Sequence, residues 1–252
     1  MQIFIPTSGR AGNQASYARL TGVGLKVTLA VPNRERALYS NYPHVLLVPD
    51  EHKIAGTRQY IIDHCEDPNV CMVDDDLAFF KRRDDDRTKL RDITDSELLD
   101  AFALMDAMLG ETYPHAGFAS REGANRNTEV WCYNTRILRV LGYHIPYLRK
   151  IGVRFDDIKV MEDFHVALSI LKSGRDSLVI NDYAHNQTGG SSAPGGCSQY
   201  RTPEVQATAA MKLAELHAPF VKVVEKETKT AWWGGKRTDV TIYWKKARES
   251  AN

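Results

Sequence analysis

The sequence has 252 residues, of which 43% are hydrophobic and 26% are charged, and its formal net charge is +1. This length and composition are typical of one large globular domain with a full core. The near-neutral charge gives no overall field that would attract a polyanion, and the apolar runs are too short to cross a bilayer. No membrane partner is therefore expected, and local patterns must indicate the function.

The four cysteines are Cys65, Cys71, Cys132 and Cys197, and no pair has the close spacing of a zinc site. Cys65 and Cys71 flank an apolar stretch that is typical of a strand, which predicts that both are small core residues. No signal peptide is recognisable. Together these features favour a reducing, cytoplasmic compartment.

Strand and helix patterns alternate about four times over the first 76 residues. The predicted strands are 2–6, 26–31, 44–48 and 69–73. The predicted helices between them are 14–20, 34–40 and 56–65. Such alternation predicts a parallel sheet with helices on its faces. Open sheets of this kind bind ligands at the carboxyl ends of their strands.

The second part of the chain is less regular. Helices are predicted at 95–109, where Thr94 and Glu97 form a capping box, at 161–172 and at 204–216. A strand is predicted at 177–183, and residues 130–141 combine a strand and a helix pattern. Residues 186–203 hold four glycines, two prolines and three serines, which is typical of a lid or a disordered loop.

The strongest chemical signal is the run Asp74, Asp75 and Asp76, which directly follows the apolar strand at 69–73. Three adjacent carboxylates repel one another unless water or a cation neutralises them. Hard oxygen ligands suit Mg²⁺ or Mn²⁺, so the run predicts a divalent metal site. The alternative is a solvated turn.

A second acidic run serves as a comparison. Asp84, Asp85 and Asp86 follow three basic residues in a polar stretch and not an apolar strand. Here a solvated loop is the favoured interpretation.

Three further patterns could complete a catalytic site. His185 follows the strand at 177–183, and an imidazole there would tilt a carboxylate metal site toward Mn²⁺. Glu162 and Asp163 open a helix, where one acid is explained by the helix dipole and the other could act as a general base. Gly56 and Arg58 lie near a helix start, a place that binds phosphates.

Taken in chain order, these features resemble the GT-A class of glycosyltransferases over roughly residues 1–220. The class has a nucleotide-binding half, a helix carrying a glycine and an arginine, a strand ending in Asp-x-Asp, a Glu-Asp pair and a late histidine. The resemblance implies an α/β fold, a GT-A-like single domain with a Rossmann-like, mostly parallel sheet and helices on both faces. It also implies Mn²⁺ or Mg²⁺ and a nucleoside-diphosphate sugar, in particular a UDP-sugar.

A narrower resemblance lies in residues 5–10 (IPTSGR) and 120–126 (SREGANR). These segments look like the TET-associated glycosyltransferases of bacteriophages and are similar to the glucosyltransferase that makes base J in kinetoplastids. Such a resemblance implies transfer of glucose onto a 5-hydroxymethylpyrimidine in DNA. For a phage protein, the expected compartment is the cytoplasm of the host.

The resemblance assigns a role to each candidate residue. Metal ligands would be Asp74, Asp76 and His185. Donor contacts would be Pro6, Thr7, Ser8, Arg10, Gly56, Arg58, Asp74, Asp75 and Arg201. Acceptor contacts would be Arg121, Asn125, Arg126 and Trp131. Asp163 would be the general base, with Glu162 as the alternative, and one in-line displacement would invert the anomeric centre.

The expected organisation is a nucleotide-sugar-binding half at 1–80, an acceptor and catalytic half at 81–220, and a basic, aromatic extension at 221–252. Residues 222–248 hold eight Lys or Arg against three Asp or Glu, and the tail carries Trp232, Trp233, Tyr243 and Trp244. Basic and aromatic side chains could contact phosphates and stack on bases.

Three other functions fit the same residues. One is a glycosyltransferase with a protein, glycan or small-molecule acceptor. Another is a sugar-1-phosphate nucleotidyltransferase, although residues 7–12 are a poor version of its glycine-rich loop. The third is a non-catalytic DNA-binding protein with solvated acids.

Overall fold

The structure is a computed structural model that describes residues 1–124, 127–188, 196, 200–228 and 235–251. The strands are β1 (Gln2–Pro6), β2 (Val27–Pro32), β3 (Val45–Val48), β4 (Asn69–Val73), β5 (Leu77–Arg82), β6 (Leu90–Asp92), β7 (His115–Ser120), β8 (Trp131–Tyr133), β9 (Val140–His144), β10 (Ser177–Gln187), β11 (Val221–Glu227) and β12 (Lys236–Ile242). The helices are α1 (Ala15–Gly22), α2 (Ile54–His64), α3 (Asp95–Met108), α4 (Arg121–Ala124), α5 (Ile145–Ile151), α6 (Glu162–Lys172), α7 (Pro203–Leu216) and α8 (Trp244–Glu249).

The central sheet has the order β3-β2-β1-β4-β9-β7-β10-β5-β6, with β8 paired to β10. The four strands from β3 to β4 are parallel, as the alternation of the first 76 residues predicts. Beyond β4 the sheet becomes mixed, because β9 runs antiparallel to both β4 and β7, whereas β7 and β10 are parallel. The predicted α/β class is confirmed.

Two hydrophobic clusters lie on opposite faces of this sheet. Along β1, Ile3 and Ile5 belong to one cluster and Phe4 to the other, because successive side chains of a strand point to opposite faces. Helices α1 and α3 cover the first face, and α2, α5 and α6 cover the second. The capping box of Thr94 and Glu97 starts α3 as predicted.

Three predicted elements differ from the structure. Residues 33–39 form a 3-10 helix where 34–40 was predicted to be a helix. No helix forms within 130–141, where β8 is followed by an irregular connector and then by β9. Val140 and Leu141 pair with β4, and Leu141 also pairs with β7, so sheet pairing overrides local preference. Strand β10 extends past residue 183, because an irregularity between Ile180 and Ala184 lets it continue along β5.

The C-terminal segment packs on the main body. Strands β11 and β12 form an antiparallel pair, and a third cluster joins Val221 and Val240 of this pair to α6 and α7. The Trp244 ring of α8 lies edge-on to Phe164 of α6, with the centroids 5.7 Å apart. The predicted boundary at residue 220 therefore lies next to a shared hydrophobic core. Among the described residues, no helix is long and apolar enough to span a membrane.

Two buried histidines join α6 to the end of α7. His165 Nδ1 lies 2.9 Å from His217 Nε2, and His165 Nε2 lies 3.2 Å from a carboxylate oxygen of Asp157. Burial lowers the pKa of both imidazoles, that of His217 to about 3, and the charge of Lys172 acts in the same direction. Both rings are therefore neutral in the folded protein at neutral pH.

We expect acid to destabilise the protein through this pair. An imidazole whose pKa is lower in the folded than in the unfolded state stabilises the fold fully above about pH 6.5, and this contribution is lost as the pH falls toward the folded-state pKa. For His217 the loss is roughly 2 kcal/mol at pH 5, or roughly 5 °C in Tm. Thermal unfolding near neutral pH and at about pH 5 measures it. His217→Gln should show a smaller drop, and equal drops would contradict this role.

Candidate active site at the carboxyl edge of the sheet

The acidic run lies in the turn between β4 and β5, at the carboxyl edge of the parallel strands. Asp75 and Asp76 are only 5% and 1% exposed, whereas the Asp74 side chain is 32% exposed. The run is therefore not a solvated turn. By contrast, Asp84 and Asp85 of the second run are exposed, as predicted for a solvated loop.

The chain segment after β1 neutralises the buried acids. Arg10 Nη1 lies 2.6 Å from Asp75 Oδ1 and 3.2 Å from Asp76 Oδ2. The Thr7 hydroxyl donates a hydrogen bond of 2.6 Å to Asp75 Oδ2, and Gln14 in turn donates to Thr7. Thr7 and Arg10 were predicted to contact the donor, and in this structure both hold the carboxylates in place.

Main-chain contacts fix the turn itself. The Ser16 hydroxyl donates to the carbonyl of Asp74 at 2.6 Å and accepts from the amide of Leu77 at 2.8 Å. The amide and hydroxyl of Thr188 both donate to the carbonyl of Asp76, at 2.8 and 2.9 Å. The side chain of Gln187 donates to Asp76 Oδ2 at 3.2 Å. Sequence reasoning missed Ser16, Gln187 and Thr188, because nothing in their local pattern marks them.

Arg58 lies between the acidic run, which contains the candidate metal ligands, and the Glu-Asp pair that opens α6. Its guanidinium is buried and lies 2.6 Å from Glu162 Oε1 and 3.7 Å from Asp74 Oδ1. A Cβ at Gly56 would come within 3.0 Å of the His52 side chain, so the close packing of His52 explains this glycine. Asp163, next to Glu162, is partly exposed.

Burial changes the acidity of two carboxyl groups here. It raises the pKa of Asp74 to about 6 and that of Glu162 to about 7, against the attraction of Arg58. Neighbouring carboxylates add to both shifts. Five acids, Asp74, Asp75, Asp76, Glu162 and Asp163, therefore share this edge with the paired guanidiniums of Arg10 and Arg58. The charges of Arg139 and Arg201 also act on these carboxyl groups, so a cation would be held by the oxygen ligands themselves and not by a large surplus of negative charge.

His185 lies on the extended part of β10, opposite Ser120 of β7, and is fully buried. Burial, together with the charge of Arg139, lowers its pKa to about 3. The ring is therefore neutral, which is the form that binds metals. Neither ring nitrogen forms a well-aligned hydrogen bond within the described part of the chain, and the same is true of Asp76 Oδ1.

The carboxylates of Asp74 and Asp76 and the imidazole of His185 are suitable ligands for a divalent cation, but they do not form a complete coordination site in this structure. Within residues 1–124, 127–188, 196, 200–228 and 235–251, no three His, Cys, Asp or Glu side chains are close enough together to hold a metal ion. Arg10 and Gln187 also donate hydrogen bonds to Asp76 Oδ2. Ligation by Asp74, Asp76 and His185 stays a prediction.

The remaining predicted donor residues lie around the same edge. Pro6 ends β1, and the Ser8 hydroxyl donates to Glu35 at 2.7 Å. Arg201 Nε donates to Gln206 at 2.8 Å, and its charge favours the ionised form of nearby Glu162.

The predicted acceptor residues are partly described. Arg121 directly follows β7, and its guanidinium lies over the ring of Phe80 at 4.7 Å. Trp131 begins β8, opposite Ile180 of β10. Asn125 and Arg126 lie outside the described residues.

A mostly parallel sheet with an acidic turn at its carboxyl edge is the arrangement expected for the GT-A class of glycosyltransferases. Residues 1–196 match the family model described as TET-Associated Glycosyltransferase, and the chain therefore belongs to that family. No curated protein matches the sequence.

Solved structures share the architecture at low sequence identity. Glucosyl-3-phosphoglycerate synthase from Mycobacterium tuberculosis, in complex with Mn²⁺, UDP-glucose and phosphoglyceric acid, has a TM-score of 0.53 and 7% identity, covering 94% of this chain and 85% of that chain. The same enzyme with Mg²⁺ and UDP has a TM-score of 0.52 and 9% identity, covering 96% and 86%. S. aureus TarS 1–349 has a TM-score of 0.47 and 14% identity, covering 85% and 66%. At these identities the similarity to the synthase shows the fold alone.

Proposed function

We propose that the protein transfers a sugar, with glucose from UDP-glucose as the first candidate, onto the hydroxyl of a 5-hydroxymethylpyrimidine in DNA, with inversion. The observation that carries the proposal is the buried acidic turn after β4, joined through Arg58 to the Glu-Asp pair that opens α6. This arrangement brings candidate metal ligands and candidate general bases to one edge of the sheet. The family membership supports the transfer reaction and suggests DNA as the acceptor.

The donor would lie across the strand ends with its diphosphate toward the acidic turn. Asp74 and Asp76, with His185 as a further ligand, would hold Mn²⁺ or Mg²⁺, the ions found in the structures of the synthase. When bound, the ion stabilises negative charge on the leaving nucleoside diphosphate. Arg10 keeps the carboxylates of the turn in position, and Arg201 is available for a charge-assisted contact with phosphate.

Asp163 is better suited than Glu162 to act as the general base. Glu162 is almost fully buried and bound to Arg58 at 2.6 Å, so its carboxylate is already occupied. Asp163 is partly exposed on the same helix turn. It would accept the proton of the acceptor hydroxyl while that oxygen attacks the anomeric carbon, on the face opposite the departing diphosphate, so the configuration inverts.

The surface beside α6 supports a DNA acceptor. A cavity of about 360 Å³ lies between the β8–β9 connector and α8, and Tyr243, Trp244, Lys245 and Lys246 contribute to its lining. Trp244 contacts Phe164, the residue after Asp163, so this lining adjoins the helix of the proposed base. Aromatic rings can stack on bases, and lysines can contact phosphates. A base within a duplex would have to flip out to reach Asp163.

The test incubates the protein with Mn²⁺, UDP-glucose and duplex DNA that contains 5-hydroxymethylcytosine or 5-hydroxymethyluracil, followed by digestion and mass spectrometry of the nucleosides. We expect the mass of one hexose on a modified nucleoside. Release of UDP without a hexose on DNA would show that the acceptor is wrong, and a panel of glycans and peptides would then be tried. Folded protein that releases no nucleoside diphosphate from UDP-, GDP- or TDP-sugars would refute the donor chemistry.

A further inference from the structure

Arg139 is the last residue before β9 and lies directly against the acidic turn. Its carbonyl accepts a hydrogen bond of 2.9 Å from the amide of Asp74. Its backbone has a φ of 65°, in the left-handed region that is unfavourable for any residue with a Cβ. Glycine would adopt this conformation without that cost. Strained backbone of this kind clusters at active sites and ligand-binding sites, which indicates that the side chain of Arg139 has a function there.

The guanidinium of Arg139 lacks an anionic partner in the described part of the chain. Its Nη1 atom is buried and donates no hydrogen bond to any group there. Arg10 and Arg58 at this edge differ, because Arg10 is bound to Asp75 and Arg58 to Glu162. Arg139 is near enough to Asp74 and His185 for its charge to influence both groups electrostatically. A buried polar group without a partner is costly, and a bound anion would remove that cost.

We propose that Arg139 binds the diphosphate of the nucleotide donor and of the departing nucleoside diphosphate. This inference rests on the proposed function and assigns a residue to it. The guanidinium presents a planar fork of N–H donors that matches phosphate oxygens, and such charge-assisted pairs are stronger than neutral hydrogen bonds. The diphosphate is the anionic part of the donor, whereas the sugar and the acceptor hydroxyl are neutral. Arg139 would therefore be a binding residue with its largest contribution when charge accumulates on the leaving group.

Two variants separate this role from a structural one. Arg139→Gln removes the charge but keeps a side chain with a Cβ at φ 65°, so the backbone cost is unchanged. Arg139→Lys keeps the charge and loses the fork. Arg36→Gln is the matched control, because Arg36 is exposed on the 3-10 helix at 33–39 and outside the site. Thermal unfolding confirms that each variant is folded.

The experiment measures the dissociation constants of UDP and UMP by calorimetry in the presence of Mn²⁺. The ratio between the two constants reports the contact with the second phosphate, which a general loosening of the site would not change. We expect Arg139→Gln to weaken UDP binding about tenfold or more with little change in UMP binding. Arg139→Lys should recover part of the lost UDP affinity. Arg36→Gln should bind both nucleotides as the wild type does. A wild-type ratio in Arg139→Gln would overturn the inference, whether both dissociation constants stay at their wild-type values or both rise by the same factor. Either result would leave the donor proposal intact. Wild-type protein that binds none of UDP, GDP or TDP would refute the donor proposal and this inference together.

Discussion

Asp76→Asn is expected to lower sugar transfer about 1,000-fold, equivalent to roughly 4 kcal/mol of transition-state stabilisation. The substitution keeps the size of the side chain and removes the negative charge that would hold a divalent cation. Asp76 is buried with one oxygen that lacks a partner in the described structure, so the loss should appear as weaker cation binding as well as slower turnover. Transfer rates over a range of Mn²⁺ concentrations, with direct titration of Mn²⁺, measure both effects.

The second acidic run offers the control for this experiment. Asp84→Asn removes the same charge from an exposed loop, and we expect wild-type transfer from it. A wild-type rate and wild-type Mn²⁺ affinity in Asp76→Asn would show that the buried turn has a structural role only. Loss of the folded state would be seen in thermal unfolding, and Asp76→Glu, which retains the charge, would then be used to measure Mn²⁺ binding.

Asp163→Asn and Glu162→Gln should give opposite patterns. We expect Asp163→Asn to reduce kcat by about 100- to 10,000-fold, because the acceptor hydroxyl loses its proton acceptor, while Tm and donor affinity change little. Glu162→Gln replaces the carboxyl group that lies 2.6 Å from the buried guanidinium of Arg58. Because burial already favours the neutral form of Glu162, we expect a loss of only about 1 kcal/mol in the free energy of unfolding, from the weaker hydrogen bond to Arg58. Steady-state kinetics and thermal unfolding of both variants provide the comparison.

The reverse pattern would exchange the two roles. Glu162→Gln with a wild-type Tm and very low kcat, beside an active Asp163→Asn, would identify Glu162 as the base. Because the donor is bound before proton transfer, slow hydrolysis of the donor should persist in the variant that lacks the base. Persistence of that hydrolysis separates a missing base from a collapsed donor site.

Much of the fold of residues 1–80 could be predicted from the sequence. The four parallel strands were located within one or two residues, because apolar runs bounded by turns carry a strong local signal. The acidic run was identified because its charges follow such a run without interruption. The family assignment from residues 5–10 and 120–126 is confirmed by the match over residues 1–196.

The mixed half and the partners of the acids could not be predicted in this way. Strand β9 is antiparallel because of pairing with β4 and β7, which are distant in sequence. Arg10 is 65 residues from Asp75, and no local pattern shows that the two form an ion pair. Arg139 lies in a stretch that combines a strand and a helix pattern, so its left-handed backbone could be seen only in three dimensions.

The packing of α6 also bears on how this family could diversify. The family match ends at residue 196, yet one side of the helix that carries Glu162 and Asp163 is covered by α7, the β11–β12 pair and α8, all of which lie beyond that point. The region that matches the family model is therefore shorter than the region that shares this hydrophobic core. A relative that shares only the matched region must bury Phe164 and Leu168 beneath some other segment or subunit. The segment that covers α6 could therefore change in shape and charge while Glu162 and Asp163 stay the same. Such changes would alter which acceptor binds without altering the reaction.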